Sequence, residues 1–541
     1  MTELQELPIP NPSFTSIRQL NQLYVDKTSL IYELARFNSR QYFLARPRRF
    51  GKSLLISTLE SLFRDGLKMF HGLAIEKLWK DRGTYKVLRL DFSGIPCETK
   101  ENFEKAAVMK FFGSATDAGL LEAVSTPESF PSIAFLMEAI CRKSKDNSVV
   151  LLVDEYDSPL CANLNNPEVF ARIQNSIHDF YAVVKEYAGK FRFVFITGVT
   201  RFRHVAIFSA GSSIKDITLN PKFGTLLGYT EDDLSDSKPL GRYILRAAAD
   251  INHIPEEKVS KNQIDSLKNE IRRYYDGYCF DNECGTHVYQ TWSVLNFLSL
   301  DDKHKFLDYW YDSGGVSALL VNYFESHGGL FSQTEDMTFS ATDFSSASSL
   351  ADMDPGVLLT QCGYYTIKKV IDGEITVGIP NMELQHAQAM LLRERLFDYK
   401  KINSASESKT ILSKKEITPE ECADFFNKIF NAVSSENKVT DEYQACDYIK
   451  VYCLGSGFSI HREYHQKNGR ADITVEFPDH RLVVEMKFAR SESSYEKLLK
   501  SAEQQILDRD YGNYIPAKAL VRFAMVFSAR EQKIIRCSEV K

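Results

Sequence analysis

Over residues 40–200, short apolar runs alternate with longer amphipathic ones. Tyr42-Phe43-Leu44-Ala45, Val87-Leu88-Arg89-Leu90, Val149-Val150-Leu151-Leu152-Val153 and Phe191-Arg192-Phe193-Val194-Phe195-Ile196 lack the strict alternation of a half-exposed strand. They suit strands buried on both faces. Between them, 54–63, 101–145 and 167–187 carry Leu and Phe at three- and four-residue spacing, which predicts helices. Strands alternating with helices predict an α/β fold built on a doubly wound parallel sheet. From 232 to about 399 helical segments dominate, with an aromatic-rich stretch over 289–311, and a helical lid and linker region is expected there. A stretch dense in Ser, Thr, Asp and Gly over 332–356 predicts a mobile loop. Residues 400–415, containing Ser404-Ala405-Ser406-Glu407-Ser408, are the best boundary in the chain. Beyond it, Ile473-Thr474-Val475 and Leu482-Val483-Val484 read as adjacent strands preceded by a helix over 440–453. The expected domains are 1–230, 231–403 and 404–541.

Composition changes this picture little. A chain of 541 residues is too long for one core. The net charge of −6 argues against a globally basic nucleic-acid binder, so any such contact must be local. Ten cysteines without framework spacing suit free thiols. Cys279, Cys284 and His287 stand close together, but no fourth zinc ligand follows them. With no basic-plus-apolar leader and no apolar run near the ~18–20 residues of a membrane span, a cytoplasmic protein is expected.

Chemistry enters where the first strand ends. Arg46-Pro47-Arg48-Arg49-Phe50-Gly51-Lys52-Ser53 joins that strand to a helix, the setting a phosphate-binding loop requires. Backbone N–H groups at the helix start can cradle phosphate oxygens. Lys52 suits the β- and γ-phosphates, and the Ser53 hydroxyl suits Mg²⁺. Arg46 holds the place of the first glycine in GxxxxGK(S/T), and alone the stretch reads equally as a basic turn before a helix. The strand over 149–153 then delivers Asp154 and Glu155, and ligands of open α/β sheets bind at such strand ends. Asp154 suits the metal shell, and Glu155 suits a general base or water-orienting role. A further strand runs into Thr197-Gly198-Val199-Thr200-Arg201-Phe202. Thr197 could sense the γ-phosphate and Arg201 could stabilise its developing charge; a surface ion pair accounts for Arg201 nearly as well. The phosphate loop is expected at the edge of the sheet.

Tyr24-Val25-Asp26-Lys27-Thr28, the loop itself, Leu90-Asp91-Phe92-Ser93-Gly94, Val153-Asp154-Glu155-Tyr156-Asp157-Ser158-Pro159 and Thr197-Gly198-Val199-Thr200-Arg201-Phe202 together resemble the AAA-ATPase-like family. There a P-loop domain is commonly joined to a C-terminal PD-(D/E)XK nuclease-like domain, and the family itself carries Arg for Gly in the loop. The resemblance implies a P-loop NTPase fold, ATP with Mg²⁺ as ligands, and a nucleotide site that includes Arg46, Arg48, Arg49, Phe50, Gly51, Lys52, Ser53, Asp154 and Thr197. Asp26 and Lys27 belong to the family signature, and equally suit a local charge pair with a helix cap at Thr28.

The C-terminal part carries a second constellation. Asp472 lies just inside one strand, after Gly469-Arg470-Ala471, and Glu485-Met486-Lys487 ends the next. Successive strand residues alternate faces, so Glu485 and Lys487 share one face. Asp472 joins them if the strands form a hairpin. Two carboxylates on adjacent strands hold Mg²⁺, and a nearby lysine activates water or stabilises the pentacovalent phosphate. The pattern resembles PD-(D/E)XK, a restriction-endonuclease-like α/β domain, with Ala471 in the place of its proline. By that resemblance Glu442 is the extra acid of the first core helix, at the metal with Asp472 and Glu485. Gln505 is the glutamine of the following helix, with Gln504 its neighbour and rival. Glu463, Arg470 and Tyr511 support the site, and Mn²⁺ can replace Mg²⁺.

Two functions from different classes follow. In one, ATP binding and hydrolysis licenses a metal-dependent nuclease acting on nucleic acid, with DNA the expected substrate and an oligomer compatible with the reading. In the other, the C-terminal domain is a nucleotide-gated module that binds nucleic acid or protein without cleaving it. The filled acid, lysine and glutamine positions favour the first.

Overall fold

The computed structural model describes residues 4–121, 125–164, 166–201, 214–299, 303–315, 336–340, 354–397, 411–433, 438–456, 458–466, 469–477, 479–513 and 519–541. The chain divides into two compact units, Met1–Glu383 and Leu384–Lys541. The linker expected at 400–415 lies mostly outside the described residues.

The first unit is built on a five-stranded parallel sheet of order β2-β3-β4-β1-β5. Its strands are β1 (Arg40–Ala45), β2 (Lys86–Asp91), β3 (Val149–Asp154), β4 (Phe191–Gly198) and β5 (Ile214–Asp216). Every residue of β3 and β4 is buried, as expected for central strands of a parallel sheet. Helix Lys52–Asp65 follows β1 and packs on β2, β3 and β4, and helix Lys100–Asp117 packs on β2. Register then sets the chemistry: Ala45 pairs with Gly198 and Asp91 with Asp154, which brings the loops after β1, β3 and β4 to one edge. The phosphate-loop strand is not the outermost one, because the three-residue β5 covers β1.

Helices Pro239–Asn252, Lys261–Tyr275 and Thr291–Leu298 form a second core, into which Leu23 of the N-terminal segment also packs. The region is not wholly helical. Strands β6 (Met337–Ser340), β7 (Thr366–Ile371) and β8 (Glu374–Gly378) form an antiparallel sheet of order β6-β8-β7. The hairpin between β7 and β8 turns at Asp372-Gly373, both with positive φ (50° and 83°), the conformation that matches strand twist. β6 also interrupts the stretch expected to be a mobile loop. Residues 332–335 and 341–353 of that stretch lie outside the described residues.

The second unit has a mixed five-stranded sheet of order β13-β12-β11-β10-β9. Its strands are β9 (Ser459–Gln466), β10 (Gly469–Glu476), β11 (His480–Ala489), β12 (Ala519–Ser528) and β13 (Lys533–Glu539). β11 and β12 are parallel and joined through helix Tyr495–Arg509, whose Ala502 and Ile506 pack against Val483 and Ala524. The other neighbours are antiparallel. Among the described residues, no helix is long and apolar enough to cross a membrane.

Candidate functional site

In the first unit the β1 strand turns through Arg46-Pro47-Arg48-Arg49-Phe50 into Gly51, which has φ 89° and stands at the start of helix Lys52–Asp65. A left-handed residue is needed there to swing the chain into the helix, and glycine adopts it without strain. No side chain caps this helix, so its first N–H groups face the loop. The Lys52 ammonium is buried and donates to the carbonyls of Arg46 and Pro47, both at 2.9 Å. Burial lowers its pKa, against the pull of Asp154 and Glu155. The Ser53 hydroxyl bonds Asp154.

A cavity of about 580 Å³ opens beside this loop. Its lining includes the polar Arg48, Arg49, Lys52, Ser53 and Glu155 and the apolar Leu23, Ile31, Leu226 and Leu227. Burial pushes both the Asp154 and the Glu155 carboxyls above their ordinary range. Glu155 holds positive φ (48°), uncommon for a residue with a Cβ.

Arg46, Thr197 and Arg201, expected at the nucleotide, do not line this cavity. The Arg46 side chain turns away from the loop: its guanidinium donates to the carbonyls of Ala45, Thr218 and Phe223 and lies 4.3 Å from the Phe280 ring centroid. Burial pushes it down to about 9. Arginine thus stands in the glycine place because it anchors the 218–223 segment. Thr197 is fully buried, its Oγ1 without a partner among the described residues, and it does not line the cavity. Arg201 is paired with Asp216 at the end of β5 at 2.6 Å, both side chains mostly buried. Phe50 is also buried, edge-on to Tyr278 and Phe280, and anchors the loop.

A residue that sequence reasoning missed joins β3 to β4. Asp157 is buried and accepts from Val199 N (3.1 Å), Thr200 N (2.6 Å) and Thr200 Oγ1 (2.5 Å). Tyr156 adds its hydroxyl to the Thr200 carbonyl at 3.0 Å. Gly198 has no room for a side chain: a Cβ there would collide with Asp157 and with the Tyr156 ring at 2.7 Å. The signal was present in Val153-Asp154-Glu155-Tyr156-Asp157-Ser158-Pro159, where Asp157 was left without a role. Asp26 ties down the start of helix Thr28–Ala35: it accepts from Thr28 N (2.8 Å), Thr28 Oγ1 (2.6 Å) and Ala74 N (2.7 Å). Lys27 pairs with Asp233.

In the second unit β10 and β11 are adjacent and antiparallel, with Ile473 opposite Val484, so Asp472 and Glu485 lie at the same end of the ladder. Asp472 Oδ2 accepts from Met486 N at 2.8 Å. Lys487 Nζ lies 2.8 Å from Glu485 and 3.5 Å from Glu442, the first residue of helix Glu442–Gly455. Burial and then the neighbouring Asp472 push the Glu485 carboxyl up to about 8, and raise Glu442 for the same reasons. Burial pulls the Lys487 ammonium down, but the surrounding carboxylates outweigh it and raise it. Gln505 donates to the Tyr511 hydroxyl at 3.3 Å, and Tyr511 feels the charge of Glu485 and Asp472. Gln504 is exposed and bonded to Asp508. Of Glu463 and Arg470 only the backbone is described.

Among the described residues no three or more His, Cys, Asp or Glu side chains form a ready metal cage. The residues still fit a divalent ion. Glu485 is fully buried and its Oε2 has no partner among the described residues. An orphaned carboxylate oxygen crowded by a second acid is a hard donor set that a cation would relieve.

Residues 8–208 match the family model described as a predicted AAA-ATPase, and residues 442–537 match that of the PD-(D/E)XK nuclease superfamily. A protein of Azotobacter chroococcum mcd 1, described as an uncharacterized protein in the vnfD 5′ region, is similar throughout. It is 27% identical over 537 residues, covering 95% of this chain and 94% of the relative.

Proposed function

We propose that this chain, in which an AAA-ATPase-like domain is joined to a PD-(D/E)XK nuclease-superfamily domain, is a cytoplasmic protein that binds and hydrolyses ATP in its first unit. The nucleotide state then controls a metal-dependent nuclease in the second. The observation that carries the ATP reading is the cavity of about 580 Å³ lined by loop residues 48–53, by Glu155 and by apolar side chains. That size suits a nucleotide. Lys52 would exchange the Arg46 and Pro47 carbonyls for phosphate oxygens, Ser53 and Asp154 would hold Mg²⁺, and Glu155 would take the proton of the attacking water. Burial raises the Glu155 pKa, which strengthens it as a base.

In the second unit Asp472 and Glu485, joined by Glu442, would hold Mg²⁺ or Mn²⁺. Such an ion, when bound, supplies Lewis acidity and a more acidic water. Lys487 places its ammonium beside the attacked phosphate, where negative charge builds up. Gln505, held by Tyr511, orients the phosphodiester of a nucleic acid, with DNA the expected substrate.

The test uses the purified full chain, labelled DNA and RNA, Mg²⁺ or Mn²⁺, and ATP present or absent. Lys52→Ala should lose ATP binding by calorimetry. Glu155→Gln should bind ATP but turn over about 10²–10⁴-fold more slowly. Asp472→Ala should lose cleavage while still binding ATP. Cleavage by Lys52→Ala equal to wild type would reject nucleotide control. ATP binding with no cleavage by wild type under any condition would leave the non-cleaving switch in its place.

A further inference from the structure

The phosphate loop is gripped by residues that lie far along the chain. Trp310 Nε1 donates to the Arg48 carbonyl at 3.3 Å, and the Arg49 carbonyl accepts from Gln290 Nε2 (3.3 Å) and Thr291 Oγ1 (2.9 Å). These contacts hold the backbone. The Arg49 side chain is held differently. Its guanidinium lies 4.4 Å from the Trp292 ring centroid and donates to the Ser313 carbonyl at 2.9 Å. Arg49, Trp292 and Ser313 all line the cavity with Gly51, Lys52 and Glu155. Arg49 also feels the charge of Glu155.

We propose that Arg49 is the residue that reads the γ-phosphate, leaving Trp292 and Ser313 for it, so that ATP and ADP produce different arrangements around Trp292 and Ser313. The inference rests on the reading of the cavity as an ATP site. A phosphate oxygen carries full charge and accepts a guanidinium in bidentate fashion, a stronger partner than one ring face and one neutral carbonyl. With ADP the terminal charge is absent, and Arg49 keeps its place on Trp292. The same region is tied onward to Glu383. Trp310 donates its backbone N–H to buried Glu383 at 2.8 Å, and Ser293 donates its hydroxyl to the same carboxyl. Glu383 is the last residue of the first unit.

The chain has three tryptophans, two of which touch the loop, so the indole signal reports this step directly. In the full chain, saturating ATP with Mg²⁺ should change the tryptophan emission and make it more accessible to acrylamide, and ADP should not. Trp292→Phe should lose the ATP-specific change, with calorimetry run alongside on each protein. If calorimetry shows no ATP binding to wild type, the proposed function falls. If ATP binds and emission and quenching match those with ADP, or if Trp292→Phe keeps the whole change, the Arg49 switch is wrong and the ATP site stands. Should Trp292→Phe fail to fold, the wild-type comparison of ATP with ADP decides alone.

Discussion

Replacing Asp157 by Ala tests how the β3 and β4 turns are joined. The substitution strips the acceptor from two backbone N–H groups, of Val199 and Thr200, and from the Thr200 hydroxyl. Asp157 is 2% exposed, so water replaces the lost partners poorly. A buried donor left unsatisfied costs about 1–3 kcal/mol. Three of them, partly relieved by local rearrangement, come to about 4 kcal/mol. The first unit spans Met1–Glu383. At about 2.1 cal/mol/K per residue its unfolding entropy is about 0.8 kcal/mol/K, so its melting temperature should fall by about 5 °C. Differential scanning calorimetry of the full chain measures this, with ATP and Mg²⁺ added to mark the transition that belongs to the first unit. ATP turnover should fall more than ATP affinity, because Asp157 follows Glu155 by two residues and fixes the turn after β3. Asp157→Asn, which keeps one acceptor, should lie between. If Asp157→Ala melts within about 1 °C of wild type and turns over ATP normally, the turn is held by something else.

Two carboxyls give pH-dependent outcomes. Glu485, raised to about 8, must lose its proton before it can hold a cation. Mn²⁺ affinity should therefore climb by up to about tenfold per pH unit as pH approaches 8 and then level off, with proton release visible in calorimetry across buffers; a flat profile from pH 6 to 8.5 would count against the site. Glu383 is raised to about 8 from an ordinary value of 4.5, chiefly by burial. The folded chain thus holds that proton more tightly than the unfolded one. Its contribution to stability is full below about 4.5 and is lost as pH rises through about 8. Glu383→Gln should flatten the fall in melting temperature over that window, and equal slopes for the two proteins would reject the assignment.

The parts of the fold legible in the sequence are those whose burial is symmetric or strictly periodic. β3 reads as an unbroken apolar run because it is buried along its whole length, and Gly51-Lys52-Ser53 announces itself by local backbone need. The pairing of Glu485 with Lys487 follows from the two-residue period alone. β5 was not legible: three residues, Ile214–Asp216, hold no period, and only their pairing with β1 makes them a strand. The small β6-β8-β7 sheet was overlooked in a region dominated by helices, although Asp372-Gly373 marked its turn. Side-chain direction was the harder matter. Nothing local tells that Arg46 points toward Thr218 and Phe223, or that Trp310 reaches Arg48 from 262 positions away. Asp157 could have been found by asking what a third acid in a buried turn must satisfy.

The Arg46 anchor has a consequence for how fast and how tightly a ligand is taken. Ordering one residue of a floppy loop costs about 1–2 kcal/mol of entropy. Here Arg46 ties the start of the loop to 218–223, while Trp310, Gln290 and Thr291 hold its middle. Most of that entropy is given up when the chain folds, so an arriving phosphate meets amides already aimed and keeps more of its contact energy as affinity. Weakening the anchor from a distance, for instance at Phe280 under the Arg46 guanidinium, would loosen nucleotide binding without touching the nucleotide.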